Sequence, residues 1–314
     1  MVKTMISFFN FKLSTAFFLI TLFSFSNSAI IEKELLYDKY TLPDAYIIRI
    51  GDNYTQHRGY DWTKISNILD NVDNFVNDQY PLGSLKNYKN VNGKPSPAIQ
   101  MKSPPESDIY GVRRNQGIPL YSETNLNRPE RYAWDGSLVK IISHGGNFSK
   151  VQLKDIPGIW FIPNRYIETL STKRFNKVII INRSFQNVVT LERVGGIWKI
   201  RSKNPITTGK DKLPYSYATP LGVFVAQSKL RRMDYMKFGN EAEMGGYSPY
   251  ATRFSGGGYF HGFPVDLPRT SIIEYSNSLG SLPISHMCVR SSASHAQFVY
   301  NWAEVDKSLF IVID

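Results

Sequence analysis

The sequence predicts a mainly β protein, built as a small barrel followed by a larger β-rich domain with one helix near the C-terminus. Three observations carry this expectation. Aromatic residues make up 14% of the 314 residues, with 19 Tyr and 19 Phe, and such side chains fit pleated, half-buried surfaces. Within residues 110–167 the short runs GIPLYS, LVKIIS, FSKVQL and GIWFIP alternate with turn residues, a strand density that suits a small barrel. From Lys177 onward the runs KVIIIN, VVTLERV and IWKIRSK are separated by turns at Arg183-Ser184-Phe185-Gln186 and Gly195-Gly196.

Lys3 and Lys12 are followed by an apolar core at 13–25 and the small residues Ser26, Ser28 and Ala29. This is the pattern of a secretory signal peptide over residues 1–29, cleaved after Ala29 or, alternatively, Ser28. The core is short of the ~20 apolar residues of a membrane helix; an uncleaved anchor is the second reading. No later segment is long and apolar enough to span a membrane. The mature protein is therefore expected without a transmembrane segment, exported to the periplasm or cell wall.

Residues 30–109 read as a helical region and linker. Trp62, Ile65, Ile68, Leu69, Val72, Phe75 and Val76 recur at helical spacing, with Asp61 or Thr63 as cap and Tyr80-Pro81 as stop. Gly93, Pro95, Pro97, Pro104 and Pro105 mark the linker. Residues 110–170 hold the expected barrel, with a hairpin turn at Gly145-Gly146-Asn147. The order Gly117-Ile118-Pro119-Leu120-Tyr121, Asp135-Gly136, Phe148-Ser149-Lys150-Val151 and Gly158-Ile159-Trp160-Phe161 resembles a bacterial SH3-like (SH3b) domain. That resemblance implies a module that touches wall peptide or, equally, a spacer. Residues 171–314 form the larger domain, in which Phe298, Val299, Trp302 and Val305 mark one helical face and 309–313 the last strand. A chain starting near Ser171 is expected to fold by itself.

Composition narrows the chemistry. With 42% hydrophobic and 20% charged residues the chain is globular, not disordered or coiled-coil. Its net charge of +11 suits anionic lipid or an acidic wall polymer, or solubility alone. No basic helix or dense Lys/Arg run points to nucleic acid, and none is expected as a partner. Cys288 is the single cysteine, which excludes an intrachain disulfide and any multi-cysteine zinc or iron–sulfur site. No phosphate-loop or His-Glu-x-x-His motif occurs, and Gly256-Gly257-Gly258 is too short for a nucleotide loop.

A lone thiol in an exported chain is open to oxidation, so an accessible one needs a purpose. A thiolate nucleophile needs a nearby base, positive charge or helix N-terminus. His261 and His286 are candidate bases, Arg290 a candidate charge, and a helix starting within 291–294 would bring its positive end close. Taken singly, Cys288 also fits a buried structural cysteine. Taken singly, each histidine fits a surface or satisfied core position, the reading kept for His57, His144 and His295. The polar neighbours Ser285, His286 and Arg290 speak against an apolar burial site.

His261-Gly262, then Ser285-His286-Met287-Cys288-Val289-Arg290, preceded in order by Gln186, Thr208-Gly209-Lys210 and Thr219-Pro220-Leu221-Gly222-Val223-Phe224, resemble the L,D-transpeptidase (YkuD-type) catalytic domain. The likeness spans about residues 174–314. The family signature is His-Gly, a gap, then Ser-x-Gly-Cys-[Val/Ile]-Arg. Met287 stands where glycine is usual, and a positive φ there would strain it. The gap between His261 and Cys288 is also longer than in many members, and the extra residues are expected to form a lid or substrate wall.

The resemblance implies a cysteine-dependent acyltransferase acting on peptidoglycan stem peptides without metal or organic cofactor. Cys288 would attack the third stem residue, His261 would take the thiol proton, and the carbonyl near Gly262 would orient the imidazole. Backbone N–H groups of Met287 and Cys288 would hold the oxyanion. A stem amine would resolve the thioester to a 3→3 link. Arg290 is a candidate partner for a stem carboxylate, or a structural salt-bridge partner, and Ser285 and His286 would shape the pocket. Two alternatives stay open: an L,D-carboxypeptidase with water as acceptor, and a non-catalytic wall-binding protein of the same fold. A papain-like protease is disfavoured, because its cysteine precedes its histidine. Residues two apart on a strand share a face, so His286 rivals His261 as the base.

Overall fold

The run Lys177–Asn182 is apolar at successive positions, which suits a strand whose sheet is covered on both faces. Alternation sends Val178 and Ile180 to one face and Ile179 and Ile181 to the other. A computed structural model shows the two pairs buried in separate cores. It describes residues 29–50, 54–88, 99–100, 107–108, 117–123, 125–212, 216–237 and 240–314. The expected signal segment up to Ser28, and Gly93, Pro95, Pro97, Pro104 and Pro105 of the expected linker, lie outside the described residues.

The central sheet has six strands in the order Ile31–Lys33, Ile197–Pro205, Asn187–Val194, Lys177–Asn182, Ser308–Ile313, Gly222–Val225. Ile31–Lys33 runs parallel to Ile197–Pro205, and Lys177–Asn182 parallel to Ser308–Ile313; the other pairs are antiparallel. Gly195 and Gly196 both have positive φ (59° and 87°), the backbone a tight hairpin turn requires and a β-carbon resists.

Helix α1 (Trp62–Val76) covers one face. Asp61 caps it by accepting the Lys64 N–H at 2.9 Å. Ile65, Leu69, Val72 and Val76, on one helical stripe, pack in the core that holds Val178, Ile180, Val189 and Leu191. Helix α2 (Ala293–Trp302), capped by Ser292, covers the other face with Ala296 and Val299. His295 on α2 is fully buried, bonded to the Ser202 hydroxyl (2.9 Å) and the Ser291 hydroxyl (2.8 Å). His57 and His144 are exposed.

A third sheet carries the candidate site. Its order is Ser228–Lys237, Asn240–Ser255, Gly258–Gly262, Val289–Ser291, and the last pair is parallel. Among the described residues no helix is long and apolar enough to cross a membrane.

The expected barrel is not closed. The middle segment forms an open five-stranded sheet in the order Trp160–Pro163, Phe148–Leu153, Leu138–His144, Leu82–Leu85, Ile167–Thr169. A separate ribbon of Gly117–Leu120 and Arg131–Trp134 packs Ile118, Leu120 and Ala133 into the core of this sheet and, among the described residues, pairs with it only at the isolated bridge Tyr121–Phe161. One bridge cannot continue a ladder, so the sheet keeps two edges. Leu82–Leu85, from the stretch expected to be helix and linker, sits inside this sheet. Its four residues LGSL carry no alternation that would announce a strand.

Strand Ile31–Lys33 and α1 alter the expectation for a chain starting at Ser171. Their removal uncovers Val178, Ile180, Val189, Leu191, Ile200 and Ile311, all in the core that α1 closes. Each such side chain contributes about 1.5–3 kcal/mol when buried, and the sum is comparable to a whole domain's net stability of about 5–15 kcal/mol. The 171–314 fragment is therefore expected to lack the cooperative thermal transition of the full chain. A circular-dichroism melt with the full-chain midpoint would contradict this.

Candidate active site

Parallel pairing sets Phe260 opposite Val289 and His261 opposite Arg290. Phe260 and Val289 fill the second core. Alternation turns Tyr259, His261 and Arg290, with Cys288 just before Val289, to the opposite face. His261 is buried, and its Nδ1–H donates to the Gly262 carbonyl at 2.6 Å. The proton is thus on Nδ1, and Nε2 is the basic nitrogen. Burial pulls the His261 pKa down to about 4, and the Arg290 charge adds to that, against the opposing Gly262 bond. Cys288 is half-buried and donates its S–H to the Gly257 carbonyl at 3.4 Å. Burial pushes its thiol up, while the Tyr259 N–H and Arg290 pull it down. Both groups are neutral at pH 7.

The turn before Cys288 is held from several sides. Met287 has φ of 71°, a left-handed conformation that costs a non-glycine residue about 1–2 kcal/mol. Its N–H donates to the Tyr217 carbonyl at 2.9 Å, and its carbonyl accepts the Thr219 hydroxyl at 2.7 Å. The Gly209 N–H donates to Thr219 Oγ1 at 2.8 Å. A β-carbon on Gly209 would lie 2.7 Å from Met287 Cα and 2.3 Å from the Tyr217 carbonyl, so only glycine fits. The Lys210 N–H donates to the Ser285 carbonyl at 2.9 Å. Gln186 accepts the Thr208 N–H and donates to the Thr208 hydroxyl, both at 2.8 Å. The separate motifs at 186, 208–210 and 219 thus converge on one turn.

Several expected roles change in this geometry. The Met287 N–H, one of the expected pair of oxyanion donors, is engaged by the Tyr217 carbonyl. Ser285 is buried, and its hydroxyl donates to the Cys288 carbonyl; it braces the turn from within. His286 is exposed and meets the Tyr217 ring edge-on, centroids 5.4 Å apart. The left-handed Met287 breaks the alternation between positions 286 and 288, so the spacing of two does not place His286 on the face of Cys288. Helix α2 begins after the intervening strand Val289–Ser291, with Ser292 as its cap. A helix dipole acts within its first turn, and Glu274 already accepts the Ser294 N–H there at 3.1 Å. Among the described residues Arg290 makes no ion pair, and its buried Nε has no hydrogen-bond partner. Its guanidinium lies 5.8 Å from the Phe263 ring centre.

The long segment between Gly262 and Cys288 is tied down as a wall. Lys39 pairs with Glu274 at 2.8 Å, and the Tyr40 and Tyr275 rings lie 4.4 Å apart. Buried Arg58 donates to the carbonyls of Gly280 (2.5 Å), Ser281 (2.8 Å) and Phe185 (3.0 Å). Sequence reasoning missed Arg58: an arginine on an edge ribbon carries no signal of the three carbonyls that the fold gathers around it. Among the described residues no group of three His, Cys, Asp or Glu could hold a metal ion.

Residues 176–312 match the family model of the L,D-transpeptidase catalytic domain, and this segment is an L,D-transpeptidase catalytic domain. Similar solved structures include an L,D-transpeptidase from Mycobacterium smegmatis, at 18% identity over 56% of this chain and 82% of that one, TM-score 0.36. Another is an L,D-transpeptidase from Mycobacterium tuberculosis H37Rv, at 18% identity over 63% and 77%, TM-score 0.35. A third is L,D-transpeptidase 3 from Mycobacterium tuberculosis with a faropenem-derived adduct, at 18% over 57% and 91%, TM-score 0.35. No curated protein matches the chain.

Met287 allows two effects to be separated. Met287→Gly relieves the left-handed strain, but it also removes a side chain that is 4% exposed, and truncating such a residue costs about 2–5 kcal/mol. Burial outweighs strain, so Met287→Gly is expected to be less stable than the parent. Met287→Ala loses the burial and keeps the strain, so it should be about 1 kcal/mol less stable still. Denaturant unfolding that ranks Ala above Gly would remove the strain from the account.

Neutral Cys288 and neutral His261 also fix a pH profile. With the thiol raised and the imidazole lowered, no thiolate–imidazolium pair forms between their pKa values. Alkylation of Cys288 by iodoacetamide should therefore rise only above the ordinary thiol range, with no plateau from about pH 4 to 7. A low-pH plateau would mean a preformed ion pair.

Proposed function

We propose that the protein is a peptidoglycan L,D-transpeptidase that forms 3→3 cross-links through a Cys288 thioester. The observation that carries this reading is the pairing of two parallel strands that presents His261, with Nε2 unprotonated, on the same face as Cys288. The matched domain supports the reaction class.

As the Cys288 sulfur attacks the carbonyl of the third stem residue, His261 Nε2 takes the thiol proton. General-base transfer suits two groups that are neutral at rest. The oxyanion receives the Cys288 N–H. Collapse breaks the amide bond, His261 returns the proton to the leaving D-alanine, and the acyl group stays on sulfur. The amine of a second stem attacks the thioester, His261 takes its proton, and the thiol is regenerated. Arg290, with a buried Nε lacking a partner, offers its charge to a stem carboxylate. His286 lies at the outer rim of the turn. The reading also places the protein outside the cytoplasm after removal of residues 1–29, with the middle segment as an SH3-like module that contacts wall peptide or spaces the catalytic domain.

The test is incubation with defined tetrapeptide muropeptides and mass spectrometry. The parent should yield a 3→3 dimer and Cys288→Ser none, with the fold intact. His261→Gln should lose about 10²–10⁴-fold in turnover, and His286→Ala far less. A trimmed monomer alone would identify an L,D-carboxypeptidase, and unchanged substrate a non-catalytic wall-binding protein.

A further inference from the structure

Asp135 belongs to the middle segment, yet its carboxylate is fully buried against the candidate catalytic domain. One oxygen accepts the Asn87 N–H at 2.5 Å. The other accepts Arg253 Nη1 at 2.7 Å, Gln227 Nε2 at 2.8 Å and the Gly256 N–H at 3.0 Å. Arg253 and Gly256 flank the hairpin turn between Asn240–Ser255 and Gly258–Gly262. The Gly257 carbonyl in that turn accepts the Cys288 S–H. Close approach is built into the backbone: a β-carbon on Gly136 would lie 2.0 Å from the Phe254 carbonyl, and the Gly136 carbonyl accepts the Val225 N–H at 2.9 Å. Tyr88, also from outside the matched domain, lies under the Arg253 guanidinium at 4.3 Å and accepts the Tyr259 hydroxyl at 3.1 Å.

We propose that Asp135 is a positioning residue for the nucleophile: from the neighbouring module it fixes the 255–258 turn, and through the Gly257 carbonyl it sets where the Cys288 thiol rests. The proposal rests on the reading of Cys288 as nucleophile. A carboxylate suits the task because its two oxygens accept four donors, one of them a buried cation. Without it Arg253 would be left charged and unpaired beside the turn, and the Gly256 N–H would lose its acceptor. The charged and titratable groups around Cys288 are His261 and Tyr259 on one strand and Arg290 on the next; Arg253 is the charged group at the turn. A loosened turn takes away the acceptor of the S–H, which stabilises the thiol over the thiolate. An unpaired Arg253 favours the thiolate as well. The two effects have the same sign.

The test is the pH profile of Cys288 alkylation by iodoacetamide in the full chain. Asp135→Ala should move the midpoint down by about half to one pH unit, the weight of one neutral hydrogen bond, and cut muropeptide cross-linking. Asp135→Asn keeps one oxygen for Arg253, Gln227 and Gly256 but loses the charge that pairs Arg253 and the acceptor of the Asn87 N–H, so its midpoint should fall by less than that of Asp135→Ala. If Asp135→Ala does not fold, Asp135→Ala/Arg253→Leu removes both charges and gives the same readout with a smaller downward shift. Val151→Ala, in the core of the middle segment, is the control for general loosening. An unshifted midpoint in the folded Ala variants, or an equal shift in Val151→Ala, would overturn the proposal. Turnover by Cys288→Ser would instead overturn the nucleophile assignment, whatever Asp135 does.

Discussion

The parallel pairing of Gly258–Gly262 with Val289–Ser291 is the constraint from which the site follows, because it ties two chain segments of different origin into one register. Phe260 and Val289 anchor that register in the second core beside Phe310 and Val299. Once they are buried, alternation leaves His261 and Arg290 no other face to occupy, and Cys288 enters the same space through the Met287 turn. Core packing therefore determines the geometry of the candidate site. The site is as rigid as the hydrophobic layer beneath it.

The same burial decides the chemistry. A desolvated imidazole and a desolvated thiol both favour their neutral forms, and the pair stores no charge until substrate arrives. In the proposed reaction proton transfer would accompany attack on carbon, with Nδ1 of His261 already committed to the Gly262 carbonyl. The resting S–H bond to Gly257 holds the sulfur in place without ionising it. A thiol kept protonated is also a poorer target for oxidation than a thiolate, which suits a lone cysteine with no disulfide partner in the chain.

Segments outside the matched domain brace it on two sides. Lys39, Tyr40 and Arg58 hold the wall at 274–281, while Asp135 and Tyr88 hold the hairpin turn behind the sulfur. Helix α1 closes the far face of the central sheet. The elements along the chain are thus less separable than their order suggests: the catalytic domain shares its core with α1 and its buried charges with the middle segment.

Much of this was legible in the residues. The period of 3.6 from Trp62 to Val76 marked α1, the double glycine at 195–196 marked a turn, and the apolar run at 178–181 marked a strand. These signals are local, since propensity and alternation act over a few residues. The order of His261-Gly262, Cys288 and Arg290 was enough to single out the candidate site, and glycine's usual place at 287 made strain there conditional on a positive φ, which the structure has. Local signals could not show that Leu82–Leu85 enters a sheet or that the middle strands stay open. They also could not separate His261 from His286, because the two-residue period that equates positions 286 and 288 holds only for an unbroken strand. Those outcomes depend on which distant groups meet: Tyr217 and Thr219 on the Met287 peptide, Asp135 on Gly256, Arg58 on Gly280. Such contacts join residues tens to hundreds of positions apart, and only the packed cores bring them within hydrogen-bonding distance.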